Sequence, residues 1–137
     1  MPAVKELIRT EQNGTISFGD YTLGVKSKLQ DYEFNGDLYK VKTFYEITKL
    51  ERNGMFVYES VPGTAVNQFE ADDTGVAFTV EGSKDVQITL ELQDDAEYDV
   101  RIDGEDAGVM KTNMGGKLTL SVELTEGAVK AVEVRKR

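Results

Sequence analysis

The stretch Val86-Gln87-Ile88-Thr89-Leu90-Glu91-Leu92 decides the fold. Every second residue is apolar, and the residues between them are polar. The same alternation runs through 118–124 and, over shorter lengths, through 76–80 and 98–102. A period of two places the apolar side chains on one face of a strand and the polar ones on the other. The second half of the chain is therefore predicted to be all-β.

Glycine-containing turns separate these strands at short intervals. Asn35-Gly36, Asn53-Gly54 and Asp103-Gly104 are typical of tight β-hairpin turns, because glycine and asparagine tolerate positive φ angles. The second half is predicted to hold strands near 76–80, 86–92, 97–102, 107–112, 117–124 and 128–135. This regular spacing predicts a small β-sandwich of the immunoglobulin-like or jelly-roll-like kind.

The first half is also predicted to be β, with a less regular pattern. A long strand over 39–52 is expected to form a hairpin with 55–61 through the Asn53-Gly54 turn. Two short strands are expected at 16–18 and 21–25. A helix over 43–52 is an alternative, but the surrounding β-branched and aromatic residues favour a strand.

A boundary is predicted near Pro62, where composition changes. Nine of the twelve aromatic residues precede it, and most of the excess negative charge follows it. We therefore expect an aromatic β-meander over 1–65, packed against an acidic β-sandwich over 66–137. The two segments are expected to behave as a single domain.

The chain contains no histidine, cysteine or tryptophan. Most nucleophilic and metal-dependent enzymes use histidine or cysteine as base, nucleophile or ligand. The remaining catalytic groups are carboxylates, amines, phenols and hydroxyls. We predict a protein that is not an enzyme and that uses no cofactor.

The net charge of −9 is concentrated in one region. Residues 70–106 hold thirteen carboxylates against Lys84 and Arg101. Such a field repels phosphate groups, so neither nucleic acid nor an anionic membrane is an expected partner. The first residues lack the pattern of a signal peptide, and no apolar run reaches transmembrane length, so a cytoplasmic location is expected.

Two acidic runs, Asp94-Asp95 and 103–106, are the nearest approach to a metal site. They are expected at opposite ends of one strand, roughly 20–25 Å apart at about 3.3 Å per residue, so they cannot chelate one ion together. Calcium binding by a single loop and a solvated acidic rim both remain open. No metal ligands are assigned.

Aromatic residues of the first half are the candidate binding surface. Their positions are compatible with an interface with a partner. They are also compatible with a core that receives side chains from both faces of the sheet. The candidates are Tyr32, Phe34, Tyr39, Phe44, Tyr45, Phe56 and Tyr58.

The function predicted from these features is a non-catalytic binding or assembly module. Its partner is expected to be another protein or a second copy of the chain, because homo-oligomers are common. A carbohydrate-binding module and a glycoside hydrolase acting through paired carboxylates are the alternatives. The hydrolase would be distinguished by two acids that share a cleft.

Three stretches resemble a small bacterial protein family, some members of which carry the label endosialidase. They are residues 15–21, 53–64 and 111–118. An endosialidase would be expected to have a propeller domain with repeated Ser-x-Asp-x-Gly-x-Thr-Trp boxes and clustered arginines. This chain has no such box, and its arginines are scattered, so no catalytic residues are carried over. The arginines are Arg9, Arg52, Arg101, Arg135 and Arg137.

Overall fold

The alternating segments form thirteen β-strands in the computed structural model, which describes residues 3–137. The described part contains no helix, and so no helix long and apolar enough to cross a membrane. The predicted all-β class is confirmed. The strands are β1 (Ile8–Thr10), β2 (Ile16–Phe18), β3 (Ser27–Phe34), β4 (Asp37–Phe44), β5 (Ile47–Arg52), β6 (Met55–Val61), β7 (Ala65–Asp72), β8 (Gly75–Glu81), β9 (Val86–Glu91), β10 (Glu97–Ile102), β11 (Glu105–Lys111), β12 (Lys117–Val122) and β13 (Val129–Lys136).

These strands build two antiparallel sheets that pack face to face. Sheet A has the order β1-β2-β7-β8-β13-β10-β11, and sheet B has the order β12-β9-β6-β5-β4-β3. Tyr58 of sheet B joins the two layers, because its ring centroid lies 5.3 Å from that of Phe18 and 5.7 Å from that of Phe78, both in sheet A. The predicted β-sandwich is confirmed.

The centre of the core combines aromatic packing with a buried hydroxyl cluster. Tyr58 is fully buried, and its hydroxyl lies 2.9 Å from Thr64 Oγ1. Thr64 Oγ1 also lies 2.8 Å from Ser60 Oγ, and the Thr64 amide donates to Thr48 Oγ1 at 3.1 Å. Burying a large side chain contributes about 1.5–3 kcal/mol, provided that its polar atom finds a partner. The hydroxyl cluster supplies that partner.

The two sheets do not correspond to the two predicted segments. Strands β1 and β2, from before residue 65, lie in sheet A beside β7, and strands β9 and β12, from after it, lie in sheet B beside β6. The chain crosses from sheet B to sheet A at residues 61–65, where the Val61–Pro62 peptide bond is cis. One sandwich is thus assembled from both segments, rather than a meander packed against a separate sandwich.

The segment 39–52 is two strands, where the sequence predicts one. Strands β4 and β5 form a hairpin that turns at Tyr45 and Glu46. Contacts from distant loops hold this turn, since the Tyr45 amide donates to the Leu23 carbonyl and the Gly63 amide donates to the Tyr45 carbonyl, both at 3.0 Å. Nothing in the local sequence encodes those contacts. The helical alternative is also wrong.

The strand expected at 21–25 is absent as well. The Asp20 carboxylate accepts a hydrogen bond from the Thr22 amide at 3.0 Å, which closes a local turn immediately after β2. Aspartate favours this turn because its side chain replaces the backbone partner that a sheet would supply. The next strand, β3, begins only at Ser27.

The strands predicted in the second half are confirmed, whereas β1, β3 and β7 are additional. Both β3 and β7 are interrupted by an irregular pairing, with Asp31 at φ 60° and Gln68 at φ 55°. At the edge of sheet A, the pairing of β11 with β10 shifts near Gly108, which has φ 100°. Strands β3 and β11 are each at a sheet edge.

Candidate binding face

Strand β4 sorts its residues between the core and the outer face of sheet B. Tyr39, Val41 and Thr43 are buried, whereas Lys40 and Lys42 between them are half-buried and lie on the opposite face. The period of two alone produces this separation. Every lysine of the strand is therefore on the outer surface of the sandwich.

The pairing of the strands places further lysines beside Lys42. Lys28 of β3 and Lys49 of β5 are its direct cross-strand partners on either side. Neighbouring strands lie about 4.8 Å apart, and like charges directly opposite each other destabilise a sheet. We call the outer surface formed by these three residues together with Lys26 and Lys40 the lysine face.

Two carboxylates on the outer face offset part of this positive charge, because Glu51 is the cross-strand partner of Lys40 and Glu59 is that of Lys49. Within residues 3–137, the one ion pair on the lysine face joins Lys49 Nζ to Glu51 Oε2 at 3.4 Å. Glu51 also lines, with four of the lysines, a small depression of about 50 Å³. Partial burial lowers the pKa of Lys42 from its ordinary value, and the charges of the other four lysines of the face lower it further.

Aromatic rings border the lysine face on two sides. The Lys26 ammonium lies 5.7 Å from the ring centroid of Phe44, and the Lys117 ammonium lies 5.0 Å from that of Phe56. Tyr45 packs edge-on against Phe44 and is 54% exposed. Val25, 77% exposed, precedes Lys26 in the chain. The surface therefore combines cations with exposed apolar side chains, which suits contact with another macromolecule.

The seven aromatic residues singled out in the sequence do not form one surface. Tyr39 and Tyr58 belong to the core, and Tyr32 and Phe34 pack against it. The other three, Phe44, Tyr45 and Phe56, lie around the lysine face. The core interpretation applies to the first four residues, and an interface with a partner stays a prediction for the other three.

A second feature is a groove of about 410 Å³ on the outer face of sheet A. Its floor includes the small side chains of Ala77 and Ala131. The cross-strand row Glu70–Ala77–Glu133–Arg101 runs through it, so the two carboxylates flank an alanine. The groove therefore offers hydrogen-bonding groups on either side of a shallow centre.

Two acidic side chains that follow β10 hold local backbone structure. Asp103 accepts a hydrogen bond from the Ala131 amide at 3.0 Å, and Asp106 accepts one from the Gly108 amide at 2.8 Å. Asp94-Asp95 and Asp103 lie at opposite ends of the strand, as the sequence predicts. No group of three or more acidic side chains in the described part is arranged to hold a metal ion.

The lysine face is absent from the sequence prediction, although a signal for it exists. The i, i+2 pairs Lys26/Lys28 and Lys40/Lys42 place two lysines on one face of a strand. Lys49 joins them only when the chain turns at Tyr45, and the sequence does not reveal that turn.

Comparison of the chain with protein-family models, curated proteins and solved structures gives no match. The geometry of the two surfaces therefore carries the functional argument.

Proposed function

We propose that this chain is a non-catalytic binding and assembly module whose lysine face docks an acidic protein surface. The cross-strand row Lys28–Lys42–Lys49 carries the proposal. Such a row costs folding free energy in the isolated chain, because like charges lie directly opposite each other. An acidic surface laid over the row replaces this repulsion with attraction, so the cost is recovered on binding.

The character of the face favours a protein partner. The lysines lie on a sheet surface with only a small depression, and exposed Tyr45 and Val25 lie near one end of it. Protein interfaces combine apolar contacts with complementary charge in this way. The net charge of −9 opposes extended contact with nucleic acid or an anionic membrane, so these remain outside the proposal.

A second copy of the chain is the first partner to consider, since the chain is itself acidic. Two lysine faces repel each other, so a symmetric dimer through this face is unfavourable. The lysine face of one copy would instead meet an acidic surface elsewhere on the next. Such a head-to-tail contact is heterologous, and it produces rings or open chains rather than closed dimers.

Light scattering measures the molar mass of the chain across a range of protein concentrations and tests the proposal. The measurement is made at about 0.05 and about 0.5 M NaCl, because charge screening differs strongly between these two salt concentrations. The native chain is expected to form species larger than a monomer at low salt and to dissociate at high salt. The double variant Lys28→Glu/Lys49→Glu is expected to remain monomeric. Lys84→Glu/Lys111→Glu makes the same change in net charge away from the face and serves as the control.

Immobilised poly-glutamate provides a second measurement with an acidic polypeptide. Retention that the lysine-face variant loses, combined with a monomeric native chain, would identify an acidic partner other than a second copy. A native chain that is monomeric at both salt concentrations and is not retained on poly-glutamate would contradict the proposal. Duplex DNA is expected not to bind.

The groove on sheet A favours carbohydrate binding as a second candidate function. Asn13, Gln68, Glu70 and Glu133 line it with amide and carboxylate groups that can hydrogen-bond sugar hydroxyls. A glycan array followed by Glu133→Ala would test this, and the absence of any hit would exclude it. Glu70 and Glu133 also share a cleft, so release of reducing ends from any glycan that binds would separate a hydrolase from a binding module.

A further inference from the structure

Lys42 occupies the centre of the lysine face. Its direct neighbours across the sheet are Lys28 on one side and Lys49 on the other, and Lys40 lies two residues away on the same face. The side chain is half-buried, and it lines the depression together with Glu51. No other lysine of the face has lysines as cross-strand partners on both sides.

This environment changes the chemistry of the Lys42 amine. Partial burial first, and then the charges of Lys26, Lys49, Lys28 and Lys40, lower its pKa from the ordinary value. A larger fraction of the amine is therefore neutral near neutral pH, and a neutral amine is the nucleophilic form. Glu51, the carboxylate that lines the same depression, is paired with Lys49.

The neighbours of Lys42 also attract anions. Lys28, Lys40 and Lys49 surround the depression, and ammonium groups bind phosphate as point charges. A reagent that combines a phosphate with an electrophilic carbon would be concentrated beside the amine most able to attack it. Acyl phosphates, the mixed anhydrides of carboxylic and phosphoric acids, have both groups.

We propose that Lys42 is the site at which acyl phosphates acylate this protein. The neutral Nζ attacks the acyl carbon and forms an N–C bond. The bond from that carbon to the phosphate oxygen breaks, and inorganic phosphate leaves with the electron pair. The proton released from Nζ passes to water. The product is an uncharged amide, and the step needs no oxidant, reductant or catalyst.

Acylation removes the central charge of the cross-strand row. The two remaining lysines of the row then lie on β3 and β5, separated by the width of β4, so their mutual repulsion is smaller. The modified chain is expected to be more stable than the unmodified one. Weaker docking of an acidic partner is also expected, and this consequence alone rests on the proposed function.

Acetyl phosphate is the probe for the experiment. The folded native chain is incubated with it at slightly alkaline pH, and the initial rate of acetylation of each lysine is measured by peptide mass spectrometry. Lys42 is expected to react on the order of tenfold faster than Lys84 or Lys111. This factor is at the low end of the rate enhancement that local positive charge gives to the encounter with an anionic reactant. An equal or lower rate at Lys42 would overturn the proposal.

Two controls separate the causes of this reactivity. Lys28→Gln/Lys49→Gln is expected to bring the rate at Lys42 close to that at Lys84, whereas Lys111→Gln should leave it unchanged. An uncharged activated ester of acetic acid is expected to prefer Lys42 less than acetyl phosphate does, because it has no phosphate to recruit. An equal preference for the two reagents would overturn the role assigned to the neighbouring lysines.

The result is independent of the docking experiments. Preferential acetylation of Lys42 in a chain that binds neither poly-glutamate nor itself would support the reactive lysine and contradict the proposed function. Docking that depends on the lysines, without preferential acetylation of Lys42, would support the proposed function and contradict the reactive lysine. Far-ultraviolet circular dichroism before and after the reaction establishes that the sandwich remains folded.

Discussion

Gly63 occupies a position that no larger residue fits. A Cβ atom added there would lie 2.0 Å from the carbonyl oxygen of Phe44, which is backbone and cannot rotate away. The Gly63 amide also donates to the Tyr45 carbonyl, so the loop after Pro62 is fixed against the β4–β5 turn. The absence of a side chain is what allows this close approach of two backbone segments.

We therefore expect Gly63→Ala to destabilise the protein by about 3 kcal/mol, the upper end of the usual cost of overpacking. Urea unfolding followed by circular dichroism measures the effect. Gly24→Ala is the matched control, because a Cβ atom at Gly24 meets no atom within 4 Å. Its expected effect is neutral or a gain of about 0.4–1 kcal/mol. Similar losses in both variants would contradict the steric argument.

For individual residues, the sequence predicts which face of a strand a side chain occupies better than it predicts which side chains contact each other. Alternation places Lys40 and Lys42 opposite the buried residues of β4. The neighbours of Lys42 depend on hairpin registers, however, and one of the two hairpins turns at Tyr45. Long-range hydrogen bonds hold that turn, so local sequence cannot reveal it.

Among the elements, β6 combines packing with a buried hydroxyl group at Tyr58. Burial raises the pKa of Tyr58 above its ordinary range, and hydrogen bonds with Thr64 and Ser60 offset part of this change. Burial also raises the pKa of Tyr21, which donates a hydrogen bond to Glu81 at 2.7 Å. Both phenols therefore stay protonated in the folded state when ordinary tyrosines ionise.

The protein is consequently expected to lose stability above about pH 10, where tyrosines of the unfolded chain release their protons. Each phenol that keeps its proton in the folded state lowers the free energy of unfolding by about 1.4 kcal/mol for every pH unit above this value. Below that pH the contribution is fully present. Tyr58→Phe is expected to remove the contribution of Tyr58 to this pH dependence. Urea unfolding between about pH 9 and 11 measures the difference in the free energy of unfolding between the native chain and the variant. Parallel pH dependences of the native chain and the variant would contradict this assignment.

The regularity of an element determines how well the sequence predicts it. Strands β8 to β10, β12 and β13 keep an almost uninterrupted alternation, and their positions follow from the sequence. Strands β3 and β7 contain irregular pairings at Asp31 and Gln68, which shift the alternation by a residue partway along. A pattern with a period of two cannot be recognised across such a shift.

For the whole molecule, the important feature is that each sheet draws strands from both sides of Pro62. The pairings of β2 with β7 and of β6 with β9 cross that point, and Tyr58 fills the core between Phe18 and Phe78. Composition separates the two segments, but hydrogen bonding joins them. The composition of a segment reports only the residues of that segment, whereas the order of strands in a sheet depends on pairing between segments far apart in the chain. The order of the strands could therefore not be predicted from the composition.

Fragments 1–65 and 66–137 are therefore expected to be unfolded when produced separately. Each lacks the partner strands of its sheets and one side of the core, and the pairings that cross the cut supply both. Mixing the fragments is expected to restore the circular dichroism and the cooperative unfolding of the intact chain. Cooperative unfolding of 66–137 alone, with stability close to that of the intact chain, would establish it as an independent domain.

The irregular edges of the sandwich affect how copies of the molecule can meet. Unpaired edge strands are templates on which further strands add, and such addition leads to amyloid-like aggregation. Strand β3 departs from regular geometry at Asp31, and β11 does so near Gly108, where the Asp106 side chain already accepts a backbone hydrogen bond. These two of the four edge strands are poor templates for this reason. Strand β12, whose pairing with β9 is regular, and the three-residue β1 are the other two edges, so any edge-to-edge addition is expected at β12 rather than at β3 or β11.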